Sequence, residues 1–375
     1  FIICLVAFWP KGSASSEATP SGSTQGADSS GAAANPANPA SPSGNTAGFT
    51  GTKLILITWN QEMGSDTAAL SRKLSSESKS APVAIVCQQE AQARFNSPDG
   101  WEQIHKERLR GSTKPERFQT AHQYITVYSR SVTGHHRSVK VIKTGSLRLS
   151  LAGKGGLWAM VEICEHSTCV DVVGACTHMP TSPASRNKGL GSVLWDIAEK
   201  VGYVHAPCDK SEQYPRKECW GSVHGVFVTG DLNYRLDGAL KQPPIAEIEL
   251  LNWLRKSITN HSWSEMMELD TLTRDTANTL RSPEAAFTCN MPDSYGPTYK
   301  VTKSHKCTSD DIVDCFLPHY TELPKKGEEV GLGWLDRVCW YGQTSLDSEE
   351  WMYDLTGKSD HVPMYYALNI LPRAT

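Results

Sequence analysis

Short apolar runs, each closed by polar or acidic residues, recur along this chain and restrict it to a fold built on sheets. Lys53 to Thr58 reads KLILIT and Ala81 to Cys87 reads APVAIVC; compact runs of this kind suit buried strands. The same signal marks Gln123 to Ser129, Ser138 to Lys143, Leu157 to Ile163, Val170 to Cys176, Val226 to Thr229, Arg337 to Tyr341 and Met364 to Ile370. Helical periodicity is clearest over Arg186 to Val201 and over Pro244 to Ser257. In the latter, Ile245, Ile248, Leu250, Leu251 and Leu254 approximate an apolar stripe, and Pro244 suits a first turn. Strands in number with helices set between groups of them predict two packed sheets flanked by helices. Val204 to Gly225 and Cys307 to Gly331 read as polar loop insertions.

The first fifty residues stand apart. Residues 1–10 are an apolar remnant, since Phe1 to Trp9 is too short for a bilayer that takes roughly 20 residues per helix. It fits the end of a signal peptide or of a membrane anchor. Residues 11–50 are almost entirely Ser, Gly, Ala, Pro, Thr and Asn and read as a disordered low-complexity linker. Residues 51–372 remain for folding, and no second linker divides them, so one domain is expected. With 39% hydrophobic residues, 11 Trp and 12 Tyr, the chain can bury a real core.

The formal net charge of -3 supplies no overall basic field. Nucleic acid is therefore not an expected partner, and an anionic substrate must be met by a local cluster of cations. The 11 cysteines include no paired CxxC pattern with zinc-ligand spacing, so buried thiols are expected. In a secreted protein Cys208 and Cys219 would bridge the loop between them, with Cys307 and Cys315 a second candidate pair.

Strand ends present side chains at the rim of a sheet, where sites form. Asn60 follows LILITW, Glu90 follows AIVCQQ, His178 follows VVGACT, Asp231 and Asn233 follow GVFVTG, and Asp360 and His361 precede the last strand. Taken singly, each has an ordinary reading as a turn residue, a cap or a solvated imidazole.

Three segments narrow the choice. Thr229 to Leu236 (TGDLNYRL), Trp334 to Trp340 (WLDRVCW) and Ser359 to Pro363 (SDHVP) resemble the two signature motifs and the terminal motif of the inositol polyphosphate 5-phosphatases. That family lies within the endonuclease/exonuclease/phosphatase superfamily. TWN at Thr58 to Asn60, QE at Gln89 and Glu90, GKGG at Gly153 to Gly156, TH at Thr177 and His178, and PTYK at Pro297 to Lys300 follow in the family's order. The resemblance implies an α/β (α+β) fold of DNase I type, a four-layer αββα sandwich of two mostly antiparallel sheets flanked by helices. It also implies Mg2+-dependent removal of the 5-phosphate from phosphoinositides, such as phosphatidylinositol 4,5-bisphosphate, or from soluble inositol polyphosphates. Peripheral contact with a membrane would accompany a lipid substrate.

Hydrolysis of a phosphate monoester needs a placed water, neutralisation of the equatorial oxygens and cations facing the developing charge. Mg2+ takes oxygen ligands and few carboxylates, which suits Glu90 as principal ligand with Asn60 beside it and Asp360 completing the metal environment. By resemblance Asp231 is the general base and Asn233 orients the nucleophile or the scissile phosphate. His361 and His178 would face the phosphate, with Asp336 behind the His361 ring to fix tautomer and charge. Substrate contacts fall to Lys154 of GKGG, whose glycines would admit a ligand to the backbone, to Arg235, and to Tyr299 and Lys300, which resemble the family's 4-phosphate contacts.

The chain departs from the family pattern at Gly153, Leu332, Gly333 and Leu335, none of which removes a catalytic group. The family's second basic pair is missing before Trp334, where Lys325 and Lys326 are the available stand-ins. The competing readings are a nuclease or sphingomyelinase-like phosphodiesterase of the same superfamily and a catalytically idle phosphoinositide-binding module. The expected compartment is the cytoplasm or a membrane surface, with secretion or anchoring left open by the apolar N-terminus.

Overall fold

The computed structural model describes residues 51–371, except 63–67, 78–80, 93–94, 96, 115–118, 131–136, 151–152, 166–167, 202–207, 241–246, 276–285, 304–311, 317–330 and 353–358. All of the described residues belong to one compact unit, Gly48–Thr375. The expectations for residues 1–10 and 11–50, for Pro244, for Cys307 and for Lys325 and Lys326 lie outside the described residues.

Strands β1 (Thr52–Asn60), β2 (Val83–Ala91), β3 (Glu102–Lys114), β4 (Gln119–Ser129), β11 (Thr344–Trp351) and β12 (Met364–Ile370) form one six-stranded sheet in the order β11-β12-β1-β2-β4-β3. Strands β5 (Arg137–Arg148), β6 (Gly155–Glu165), β7 (Thr168–His178), β8 (Gly225–Asp231), β9 (Thr288–Cys289) and β10 (Asp336–Gly342) form the other, in the order β5-β6-β7-β8-β10-β9. Each sheet is antiparallel apart from one parallel pair, β1 with β2 and β7 with β8.

Alternation explains why the apolar runs are unbroken. Along β1, Leu54 and Leu56 enter the core between the sheets, while Ile55, Ile57 and Trp59 pack on the outer face with Leu70 and Leu74 of helix α1 (Ala68–Ser76). Along β6, Leu157, Ala159, Val161 and Ile163 face inward, and Trp158 and Met160 pack outward with Val193, Leu194 and Ile197 of helix α2 (Pro183–Val201). A strand with apolar cover on both faces has no polar face to show. Helix, sheet, sheet and helix thus stack as the four expected layers. Helix α3 (Glu247–Thr259) forms where the stripe of Leu250 and Leu254 predicts one.

Strands β3, β9 and β11 gave no signal as apolar runs. Each is the last strand of its sheet, where one backbone edge and part of the surface face water and polar residues are tolerated. The expectation of buried free thiols is overturned. Cys87–Cys176, Cys164–Cys169, Cys208–Cys219 and Cys289–Cys339 are disulfides, and Cys315 is disulfide-bonded as well. The register explains two of them, because Cys164 pairs with Cys169 and Cys289 with Cys339 directly across neighbouring strands. Of the two expected bridges, Cys208–Cys219 forms.

Candidate active site

The inward rows of the two sheets end together. On β1 the row Leu54, Leu56 continues to Asn60; on β7 Val172 and Cys176 continue to His178; on β8 Phe227 continues to Asp231; on β10 Trp340 and Val338 lead back to Asp336. A period of two carries each row's direction to its terminal residue. Register then aligns His178 with Asp231 and Asp231 with Asp336 in one sheet, opposite Asn60 in the other. Apolar strand interiors therefore deliver polar side chains to one rim.

There the groups meet. Asn60 Nδ2 donates to Asp231 Oδ2 at 2.9 Å, and the same oxygen lies 3.3 Å from His178 Nε2 and 4.0 Å from His361 Nε2. The other oxygen of Asp231 accepts from the Asn233 backbone N–H at 3.0 Å, and Asn233 Nδ2 donates to the Met179 carbonyl at 2.7 Å. His361 Nδ1 lies 2.9 Å from Asp336 Oδ2. Glu90 Oε1 is 3.6 Å from His178 Nε2 and 3.9 Å from Lys154 Nζ, and Lys154 Nζ contacts His178 Nε2. A cleft of about 170 Å3 opens on this array, lined by Asn60, Glu90, Lys154, Asp231, Asn233, Arg235, Tyr299, Asp360 and His361 together with Glu62 and Thr181.

Burial and charge set the protonation states. Burial alone would raise the Asp231 pKa, but the hydrogen bond with His178 and the charges of His361, His178 and Lys154 hold it well below the usual carboxylate range. Burial opposes a charged His361, yet Asp336 by charge and hydrogen bond, with Asp231 and Asp360, pushes it up to about 9. Burial and the Lys154 charge lower His178 despite Asp231 and Glu90. Burial raises Asp360 to about 6, helped by its hydrogen bond and repulsion with Glu62 and opposed by His361. The His361 imidazole is thus a cation at neutral pH.

The backbone bends to make this cleft. Glu62, Glu90 and Asn233 all have positive φ, at 43°, 48° and 59°, a region that costs a residue other than glycine of order 1–3 kcal/mol and persists where surrounding contacts enforce it. All three line the cleft.

Glu62, Thr181 and Arg186 were not singled out from sequence. Glu62 has a positional signal, standing two residues beyond Asn60, and its backbone N–H donates to Asn60 Oδ1 at 3.1 Å. Arg186 has none, being one polar residue in the first turn of α2. It is fully buried, donates to the carbonyls of Asn233 at 2.7 Å and Thr181 at 3.4 Å, and stacks 4.3 Å from the Tyr234 ring. Ser359 ties the segment leading into β12 to the end of β1, its neighbour in the same sheet, by donating to the Asn60 carbonyl at 2.6 Å while accepting from the His361 N–H at 3.1 Å.

The substrate-contact expectations divide. Lys154 lines the cleft, and Gly155 and Gly156 of GKGG serve packing: a Cβ on Gly155 would meet the Leu147 carbonyl at 2.1 Å, and one on Gly156 would meet Val193. They allow β5 and α2 to close on β6. Tyr299 and Arg235 line the cleft, with the Arg235 guanidinium 5.0 Å from the Tyr299 ring and that ring 4.6 Å from His361. Lys300 is half-buried beside them and is not among the described residues lining it. His178 and Asp336 sit behind the lining.

The oxygen donors Asn60, Glu62, Glu90 and Asp360 around one cleft fit a hard divalent cation. Burial is the main cause that raises Asp360, and the smaller part due to repulsion from Glu62 is of the kind such an ion relieves. Glu162, Cys164 and Cys169 also bring ligand-type atoms within 4.8 Å of one another, but those two sulfurs are joined in a disulfide. A larger, open hollow of about 550 Å3, lined by Lys217, Glu218, Tyr341 and Gln343 among others, lies at the far end of β8 and β10.

The profile of Endonuclease/Exonuclease/phosphatase family 2 matches residues 57–367. No curated protein matches the chain. Among solved structures, the inositol polyphosphate 5-phosphatase domain of SpSynaptojanin, in complex with inositol (1,4)-bisphosphate and calcium ion, is similar with a TM-score of 0.53 and 15% identity over 85% of this chain and 84% of that chain. A Cimex nitrophorin ferrous NO complex is similar at 0.48 and 12% over 85% and 99%, and the human nocturnin catalytic domain at 0.43 and 10% over 85% and 94%.

Proposed function

Because this chain belongs to endonuclease/exonuclease/phosphatase family 2, we propose that it is a Mg2+-dependent phosphoric monoester hydrolase that removes the 5-phosphate from inositol phosphates. The substrates are phosphoinositide headgroups, such as that of phosphatidylinositol 4,5-bisphosphate, or soluble inositol polyphosphates. The carrying observation is Asp231 held ionised between Asn60, His178 and Asn233, with the His361–Asp336 pair beside it. The SpSynaptojanin domain, solved with an inositol bisphosphate and calcium, supports the same ligand chemistry.

Glu90 and Asn60 hold the cation, with Asp360 and Glu62 beside them. The cation supplies positive charge to the phosphate oxygens when bound. His361, an imidazolium fixed at Nδ1 by Asp336, turns Nε2 to the phosphate and donates to it. Asn233, locked through Met179, orients the nucleophilic water or the scissile group. Asp231 takes the water's proton. Its low pKa makes it a weak base, which is adequate for a loose transition state in which the attacking oxygen forms little bond. Lys154 keeps a second cation at the phosphate, and Arg235 with Tyr299 meets a neighbouring one. The disulfides support work in an oxidising compartment.

The test is phosphate release across an inositol phosphate panel with Mg2+ and with excess chelator. Release from 5-phosphorylated substrates, abolished by chelation and restored by Mg2+, is expected. Turnover of nucleic acid or sphingomyelin, with none of any inositol phosphate, would overturn it.

A further inference from the structure

Cys87 on β2 and Cys176 on β7 are fully buried and disulfide-bonded, with Cα atoms 5.3 Å apart. Cys164–Cys169 and Cys289–Cys339 join hydrogen-bonded neighbours within a sheet, and Cys208–Cys219 closes a loop of separation 11. Cys87–Cys176 instead crosses from one sheet to the other. No backbone ladder links β2 to β7, so their separation is set by side-chain packing and this covalent bond.

The bond lies directly beneath the site. Glu90 is three residues beyond Cys87 along β2; His178 is two beyond Cys176 along β7, on the same inward face. Those two side chains approach to 3.6 Å. The sheets are close here for further reasons. Gln123 Nε2 of β4 donates to the Cys176 carbonyl at 2.6 Å, and Gly174, where a Cβ would stand 2.2 Å from Ile85 Cδ1, lets β2 lie against β7.

We propose that the Cys87–Cys176 bond is a positioning device, fixing the spacing of β2 and β7 so that the Glu90 carboxylate and the His178 imidazole stand at the separation that cation and phosphate binding need. The inference rests on the reading of Glu90 as a cation ligand. A purely structural disulfide would act by restricting the unfolded chain, with an effect that follows loop length. A positioning disulfide changes affinity in the folded state, as groups supporting metal ligands do by about 10- to 100-fold.

The experiment compares C87A/C176A with C289A/C339A, which opens a loop of separation 50 on the outer face of its sheet, away from the inward row that ends at the site. Mg2+ affinity is read by calorimetry at a temperature where circular dichroism shows each variant folded, alongside the Mg2+ dependence of phosphate release. C87A/C176A should weaken Mg2+ binding about tenfold or more, while C289A/C339A should lose thermal stability and bind Mg2+ as the wild type does. Equal stability losses with wild-type Mg2+ binding in both would overturn the proposal.

A second measurement uses the unaltered protein and holds even where C87A/C176A does not fold. In a glutathione buffer series, reduction of the bond consumes two reduced glutathiones and yields two cysteine thiols and one glutathione disulfide. By reciprocity of coupled equilibria, bound Mg2+ must then protect Cys87–Cys176, and not Cys289–Cys339, from reduction in thiol-labelling mass spectrometry. Protection of neither, in a protein that binds Mg2+, sinks the positioning role alone. Failure of the wild type to bind Mg2+ removes the cation-dependent reading itself.

Discussion

Asn60 and Asp231 hold the two sheets together at the site, the amide of one donating to the carboxylate of the other at 2.9 Å from opposite strand ends. The bond leaves Asp231 ionised, oriented and fed with donors on both oxygens. Asp231→Asn keeps the shape, removes the base and sets amide against amide. We expect a loss of about 100- to 10,000-fold in kcat, the usual cost of a missing general base, with an unchanged circular dichroism spectrum. A variant with most of the wild-type turnover would contradict the assigned role.

His361 and Asp336 give a pH signature. The folded pKa of about 9 lies above the ordinary histidine value near 6.5, so the imidazolium stabilises the fold fully below about 6.5 and loses that contribution as pH rises through about 9. Asp336→Asn removes the largest of the charges that hold His361 up, leaving burial opposed only by Asp231 and Asp360. The alkaline limb of the kcat/KM profile should move from near 9 in the wild type to lower pH in the variant. An identical alkaline limb in both would show that His361 does not act as a cation.

Arg186 reaches the chemistry through the carbonyls of Asn233 and Thr181. Arg186→Lys keeps a charge but loses the fork that reaches the Asn233 and Thr181 carbonyls. Leaving a buried carbonyl unpaired costs about 1–3 kcal/mol, so the melting temperature should fall. Because Asn233 sits at positive φ, its displacement should lower kcat while KM changes little. A fall in stability with wild-type kcat would make Arg186 structural only.

How much of this could be read beforehand depends on where each residue sits. Strands covered on both faces, such as β1 and β6, show as unbroken apolar runs, and Asn60 and Asp231 are legible because they follow such runs directly, whereas Asp336 is legible only through the resemblance carried by WLDRVCW. The edge strands β3, β9 and β11 have no such run. Cys87 and Cys176 stand 89 residues apart and meet only when two sheets stack, which no local pattern records. Arg186 is invisible for the same reason: its partners lie 47 and 5 residues away, and its exposure is decided by the layer that covers it.

The placement of Arg235 and Lys300 yields the specificity prediction. Both were expected to meet substrate, yet Arg235 lines the cleft, its guanidinium 5.0 Å from the Tyr299 ring, whereas Lys300 stands outside the described lining. A phosphate next to the scissile one therefore meets Arg235 first, and a charge-assisted hydrogen bond of this kind contributes about 1.5–3 kcal/mol, or tenfold and more in a rate ratio. Arg235→Ala should lower kcat/KM for a 4,5-bisphosphate inositide at least about tenfold more than for a 3,5-bisphosphate one, and Lys300→Ala should separate them less. A folding defect would depress both substrates alike, so the ratio isolates the contact. An equal loss on both substrates in R235A, or a larger separation in K300A, would place the neighbouring phosphate elsewhere in the cleft.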